Sequence, residues 1–128
     1  MATPKEIAEI TYKAYQAGDV DTIMKHLAPA VDWELVGPQS HMRYAGPRTS
    51  HADIRQVFAH MAADDDIQRF EPIEYIEAGD KLVVLGIVKG TARATGKAYE
   101  TQWAHVFTFK DDKITRWRGF YDTAARCL

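Results

Sequence analysis

Apolar positions recur first with a helical period and then with a period of two, and the change falls near residue 70. Thr3-Pro4-Lys5-Glu6 carries the marks of a helix start. Thr3 can cap, proline suits the first helical position, and Glu6 completes a capping box. Ile7, Ile10 and Ala14 then follow at helical spacing, with Tyr15 beside them. Gly18 ends this helix and Asp19 caps a second, whose predicted buried face is Val20, Ile23, Met24 and Leu27 and which Pro29 stops. Val31, Trp33 and Leu35 alternate with Asp32 and Glu34, which predicts a strand with one buried face. From Gly37 to Arg48 two glycine–proline pairs predict a loop, with a short extended piece near Tyr44. A third helix is predicted from Ser50, with Asp53 in its first turn and Ile54, Val57, Phe58 and Met61 buried. Asp64-Asp65-Asp66 would face the negative end of the helix dipole, so the helix is expected to end before them.

Strand-like runs occupy Phe70–Glu77, Lys81–Ala92, Lys97–Lys110 and Lys113–Asp122, separated by glycine or aspartate turns. Helices first and a strand meander afterwards predict an α+β fold: a cone-shaped, curved antiparallel sheet packed on about three N-terminal helices around an internal pocket. Leu82-Val83-Val84-Leu85, continued by Ile87 and Val88, is apolar on both alternating faces. One face packs on the helices, and the other predicts a homodimer that joins outer sheet faces.

The 128 residues are expected to form one domain, 1–128, and 46% hydrophobic with 27% charged residues is the balance of a globular chain. A net charge of −2 gives no global pull toward nucleic acid or an anionic membrane. Cys127 is the single cysteine, so no internal disulfide is expected, and no metal or cofactor motif appears. No apolar run is long enough to span a bilayer, and the N-terminus lacks the regions of a signal peptide. A cytoplasmic location is the expectation.

Trp103, His105, Phe107 and Phe109 share one strand face. An imidazole among aromatic rings is expected to lose its charged form to burial and to serve as a neutral donor and acceptor. The alternative is a core histidine satisfied by a backbone carbonyl or a tyrosine. In the last strand Trp117, Gly119 and Tyr121 share a face, while Arg116 and Arg118 take the other. A strict two-residue turn at Asp111-Asp112 would set His105 opposite Arg118 and bury the arginines. A longer loop or a bulge pairs His105 with Gly119 and Trp103 with Tyr121 instead, and leaves space beside the imidazole. The inner wall is therefore read as Trp33, Leu35, Phe58, Trp103, Phe107, Trp117, Gly119 and Tyr121, with His105 and Asp122 as candidate catalytic groups. Glu34 falls on the outward phase, and His41 and Tyr44 read as solvated loop residues.

Tyr15-Gln16-Ala17-Gly18-Asp19-Val20-Asp21, Gly46-Pro47-Arg48 before a helix, Trp103–Phe109 and the closing Trp117–Asp122 together resemble the polyketide cyclase-like (SnoaL-like) members of the nuclear transport factor 2-like superfamily. The resemblance covers essentially the whole chain and implies the cone. Matched position by position, the base carboxylate of ketosteroid isomerases falls at Leu35, their oxyanion tyrosine at Thr11 and their protonated acid at His105. A catalytic carboxylate of limonene epoxide hydrolases falls at Gly119. Neither set of carboxylates is kept. Two functions are expected: a cofactor-independent cyclase, isomerase or lyase acting on a small apolar carbonyl compound, or a non-enzymatic module that binds a small apolar or aromatic molecule.

Overall fold

The computed structural model describes residues 2–128. Helix α1 (Pro4–Gln16) starts on the expected capping box, with Thr3 Oγ1 accepting from the Glu6 amide and the Thr3 amide donating to Glu6 Oε1. It buries Ile7, Ala8, Thr11, Tyr12 and Ala14, whereas Ile10 is exposed, one position off the inward stripe. Asp19 caps α2 (Val20–Lys25). That helix ends before Leu27, which is already in strand β1 (Leu27–Val36), so Pro29 interrupts a strand and not a helix. Its missing N–H coincides with the irregular register between Leu27 and Asp32.

Strand β2 is Gly46–Arg48 and pairs with β1. Tyr44 is not extended and not solvated: it is buried, with Met42 and Ala45 beside it. Helix α3 (His51–Asp64) runs one residue into the aspartate triplet. Arg43 makes this tolerable by gripping the Asp64 carboxylate with Nε and Nη2 at 2.7 and 2.8 Å, which holds that carboxyl below its usual range. Phe58 and Met61 are only half-buried on this helix.

Strand β3 begins at Asp65, five residues before the expected start, and runs to Ala78. Strands β4 (Lys81–Ala92) and β5 (Lys97–Lys110) keep their expected positions, and β6 (Lys113–Tyr121) ends one residue early because Asp122 caps the helix that follows. A short helix, α4 (Thr123–Cys127), follows and was not expected. The six strands form one sheet in the order β2-β1-β6-β5-β4-β3. Its pairs are antiparallel except β1–β6, which is parallel, so the sheet is mixed. Two-residue alternation cannot distinguish these arrangements.

The β5–β6 hairpin has the tight turn and the shifted register together. Asp111 and Asp112 both adopt positive φ, 53° and 62°, as a primed two-residue turn requires. Lys110 faces Lys113, yet Thr108 faces Arg116, because Thr115 is the extra residue of a bulge. Beyond it His105 pairs with Gly119, Trp103 with Tyr121, and Phe107 with Trp117. The aromatic faces stay aligned, and Arg118 turns outward to Asp32, with Nη2 2.9 Å from Oδ2.

Candidate functional site

Between the helices and the concave face of the sheet lies an apolar cavity of about 60 Å³. At roughly 10–15 Å³ for each water in this measure, it has room for a single substituted ring. Trp33, Leu35, Phe58, Phe107, Trp117 and Tyr121 line it together with His105. Trp33 and Trp117 stack at 4.1 Å with 19° between planes, an arrangement worth about 0.5–1.5 kcal/mol beyond burial.

Two expected wall residues are not on that wall. Trp103 lies between Phe70 and His105, with ring centroids 4.8 and 4.0 Å away, so Phe70 covers it. Its indole presses on Gly86, where a Cβ would come 2.2 Å from the ring. Gly119 does not open a space beside the imidazole either. The Trp117 ring lies across it, 2.4 Å from where a Cβ would stand, and meets His105 edge-on at 4.7 Å. Glycine here admits the indole. Asp122 is exposed, at the last strand end, and does not line the His105 cavity.

Three elements converge on the imidazole. Tyr12 Oη, from α1, lies 2.8 Å from His105 Nδ1, and Tyr121 Oη, from β6, lies 2.9 Å from Nε2. His105 is 3% exposed, and burial pushes its pKa down to about 3. Burial likewise raises both tyrosines well above their usual range. All three groups are therefore uncharged at neutral pH. Their hydrogens can then be counted. Neutral imidazole donates once and accepts once, so one tyrosine donates to the ring and the other accepts from it. In either tautomer one tyrosyl O–H is left over, and both tyrosines line the cavity. No carboxylate lines this cavity among the described residues. The arrangement can donate a polarised hydrogen bond to a carbonyl oxygen and stabilise an enolate, but it is a poor base.

A second chamber of about 40 Å³ adjoins the first, sharing Tyr15, Leu35, Met61, Phe70 and Tyr121 as walls. Its polar feature is a buried ion pair between α4 and the start of β3. Arg126 holds Asp65 with Nε at 2.8 Å and Nη2 at 2.7 Å, and Tyr99 Oη donates to the same carboxylate. Arg126 Nη1 also donates to the His41 carbonyl at 3.1 Å, and its guanidinium lies over the Tyr44 ring. Burial, with the Asp65 charge nearby, pushes Tyr15 up to about 12. Asp122 lies at the rim of this chamber. Sequence reasoning did not place Tyr12, Phe70, Asp65, Tyr99 or Arg126 at the site. Tyr12 stands four residues after Ala8 on the buried stripe of α1, which is a readable signal. Asp65 and Arg126 carry no periodic signal.

Residues 8–117 match the SnoaL-like domain. No curated protein matches the chain. An NTF2-like protein from Burkholderia thailandensis is 31% identical, covering 98% of this chain and 95% of that one, with a TM-score of 0.87. Another NTF2-like protein, from Burkholderia pseudomallei, is 26% identical over 97% and 94%, again with a TM-score of 0.87. TerC, co-crystallized with polyporic acid, is 27% identical over 94% and 92%, with a TM-score of 0.81.

Proposed function

Since the chain belongs to the SnoaL-like domain family, we propose that it is a small-molecule pocket protein acting without a cofactor on a small, largely apolar carbonyl compound, as a cyclase, isomerase or lyase. The observation that carries this reading is the neutral Tyr12–His105–Tyr121 chain on the wall of an aromatic cavity. The hydroxyl left free by the histidine donates to the carbonyl oxygen. As that oxygen gains charge, the imidazole N–H behind the donor strengthens the bond. That TerC, a protein of similar fold, was co-crystallized with polyporic acid supports an organic ligand for this chain.

The absence of a carboxylate from the inner wall among the described residues favours a second reading, in which the cavity binds such a compound and releases it unchanged. The two part in one experiment. Phenylacetone in deuterium oxide is followed by proton NMR for protein-catalysed exchange of its benzylic protons, the first half of an isomerase or cyclase reaction. Exchange above the buffer rate is expected, with hydroxide from the solvent taking the benzylic proton while the free tyrosyl hydroxyl stabilises the enolate oxygen. It should fall about 10²-fold, the scale of one lost oxyanion donor, in whichever of Tyr12→Phe and Tyr121→Phe removes that hydroxyl. Saturable binding with exchange at the buffer rate establishes the binding module and ends the catalytic reading.

We also propose that a second copy of this chain covers the outer sheet face. Ile73 and Phe120 there are 60% and 44% exposed, and Leu85, Ile87 and Ala104 join them along a shallow groove. Phe120→Glu is expected to shift the sedimentation coefficient from dimer to monomer without lowering the helix and strand content. A wild-type monomer at micromolar concentration removes the dimer.

A further inference from the structure

The chamber beside His105 and the smaller one at the Arg126–Asp65 pair meet across five side chains. Tyr15, Leu35, Met61, Phe70 and Tyr121 each wall both. Tyr121 matters most among them, because it ends the hydrogen-bond chain through His105. A carbonyl compound held at that chain thus has a second space within reach. Met61 is half-buried and unbranched, a side chain that shifts readily to fit what lies against it. The second chamber, of about 40 Å³, holds about three waters at roughly 10–15 Å³ for each. That is room for a short arm and not for a further fused ring.

The charges of the second chamber limit what that arm can be. Asp65 and Arg126 already answer each other through Nε and Nη2, and Arg126 Nη1 donates to the His41 carbonyl. Asp122 adds a carboxylate at the rim. An anionic arm would give up its water only to compete with Asp65 for a guanidinium in use, and a cationic one would meet that guanidinium. The pair has no charge to spare.

We propose that the two chambers are the ends of one binding site for an elongated, uncharged ketone. Its ring and carbonyl lie in the first chamber, and a short arm of ester or ether type fills the second. This rests on the reading of the cavity as a small-molecule pocket and narrows its ligand class, without depending on turnover.

Phenylacetone, methyl 4-oxo-5-phenylpentanoate and the parent acid of that ester share a benzyl ketone and differ in the arm, which is absent, uncharged and anionic in turn. Titration calorimetry on the wild-type protein is expected to find the ester about tenfold tighter than phenylacetone, because its added atoms are buried, and the acid back near phenylacetone. Val88 is buried on β4 and walls only the second chamber. Val88→Leu narrows that chamber and is expected to bring the ester within about twofold of phenylacetone while leaving phenylacetone unchanged. An ester no tighter than phenylacetone, an ester advantage that survives Val88→Leu, or an acid that matches its ester overturns the proposal. If none of the three binds, the pocket reading fails with it, whereas phenylacetone bound without an ester advantage defeats this proposal alone.

A measurement on the wild-type fold covers the case in which the variant does not fold. In nuclear Overhauser spectra of the bound ester, the methoxy protons are expected to meet the Val88 methyls. The ring protons are expected to meet those of Leu27 and Ile114, which wall only the first chamber. Methoxy protons that meet Leu27 or Ile114 and not Val88 overturn the proposal.

Discussion

His105→Phe is expected to lower the unfolding free energy by about 3 kcal/mol at pH 7.5, with the deficit closing as the solution is acidified. Phenylalanine fills much of the same volume but offers no nitrogen, so two buried tyrosyl hydroxyls lose their partner, at about 1–3 kcal/mol for each group left unsatisfied. The closing of the gap follows from the histidine's own titration. Its pKa is about 3 in the fold and about 6.5 in the unfolded chain. Between those values the unfolded chain binds a proton that the folded one refuses. Stability is therefore full above pH 6.5 and falls by about 1.4 kcal/mol for each pH unit below it, until about pH 3. The phenylalanine variant has no such loss. Urea unfolding of both proteins at pH 7.5, 6.5 and 5.0 reads the difference, since few carboxylates titrate in that interval. Parallel curves would mean that the imidazole is charged inside the fold, and the neutral-chain account of the site would be lost.

Arg126→Met should be similarly costly, by about 3–5 kcal/mol, because it leaves the Asp65 carboxylate, 3% exposed, with Tyr99 as its one remaining strong donor. Replacing both partners removes the uncompensated charge. Arg126→Met/Asp65→Leu should accordingly be more stable than Arg126→Met alone. Denaturant titration of the four proteins of the cycle gives the coupling directly. Additive effects would show that the pair is not coupled and that α4 is held by its apolar contacts. The same variants are expected to weaken ligand binding, since the pair forms a wall of the second chamber, next to Tyr121.

The sheet was legible because alternation is a strong signal: Val31, Trp33 and Leu35 face inward in β1, and Trp103, His105, Phe107 and Phe109 in β5. The cost of burying Arg116 and Arg118 was enough to reject the unbulged register. What alternation cannot say is which neighbour lies over an inward side chain. Trp103 faces inward but is covered by Phe70, and the room that Gly119 leaves is taken by Trp117. Partner order is also silent in the pattern, so the parallel β1–β6 pair was not foreseen. Long-range polar contacts were hidden for a related reason. Asp65 looked like a poor helix terminator because its counter-charge stands 61 positions away in a helix too short to announce itself. Tyr44 is drawn inward by the same cluster, although its surroundings have the composition of a loop.

The parallel β1–β6 pair also governs when the site comes into being. Leu35 meets Gly119 across that ladder, so one of the first strands to leave the ribosome waits for the last before its second edge is covered. Closing so long a loop is entropically expensive and slow compared with forming the β3–β4 or β4–β5 hairpin. The phenol of α1 is synthesised well before Tyr121 arrives on β6, and the imidazole on β5 precedes it by 16 residues. A chain still lacking that strand has a histidine with one partner and a cavity without its far wall. Ligand capture during synthesis would thus mark the end of folding, and a tight ligand would act on the slowest step as a ratchet.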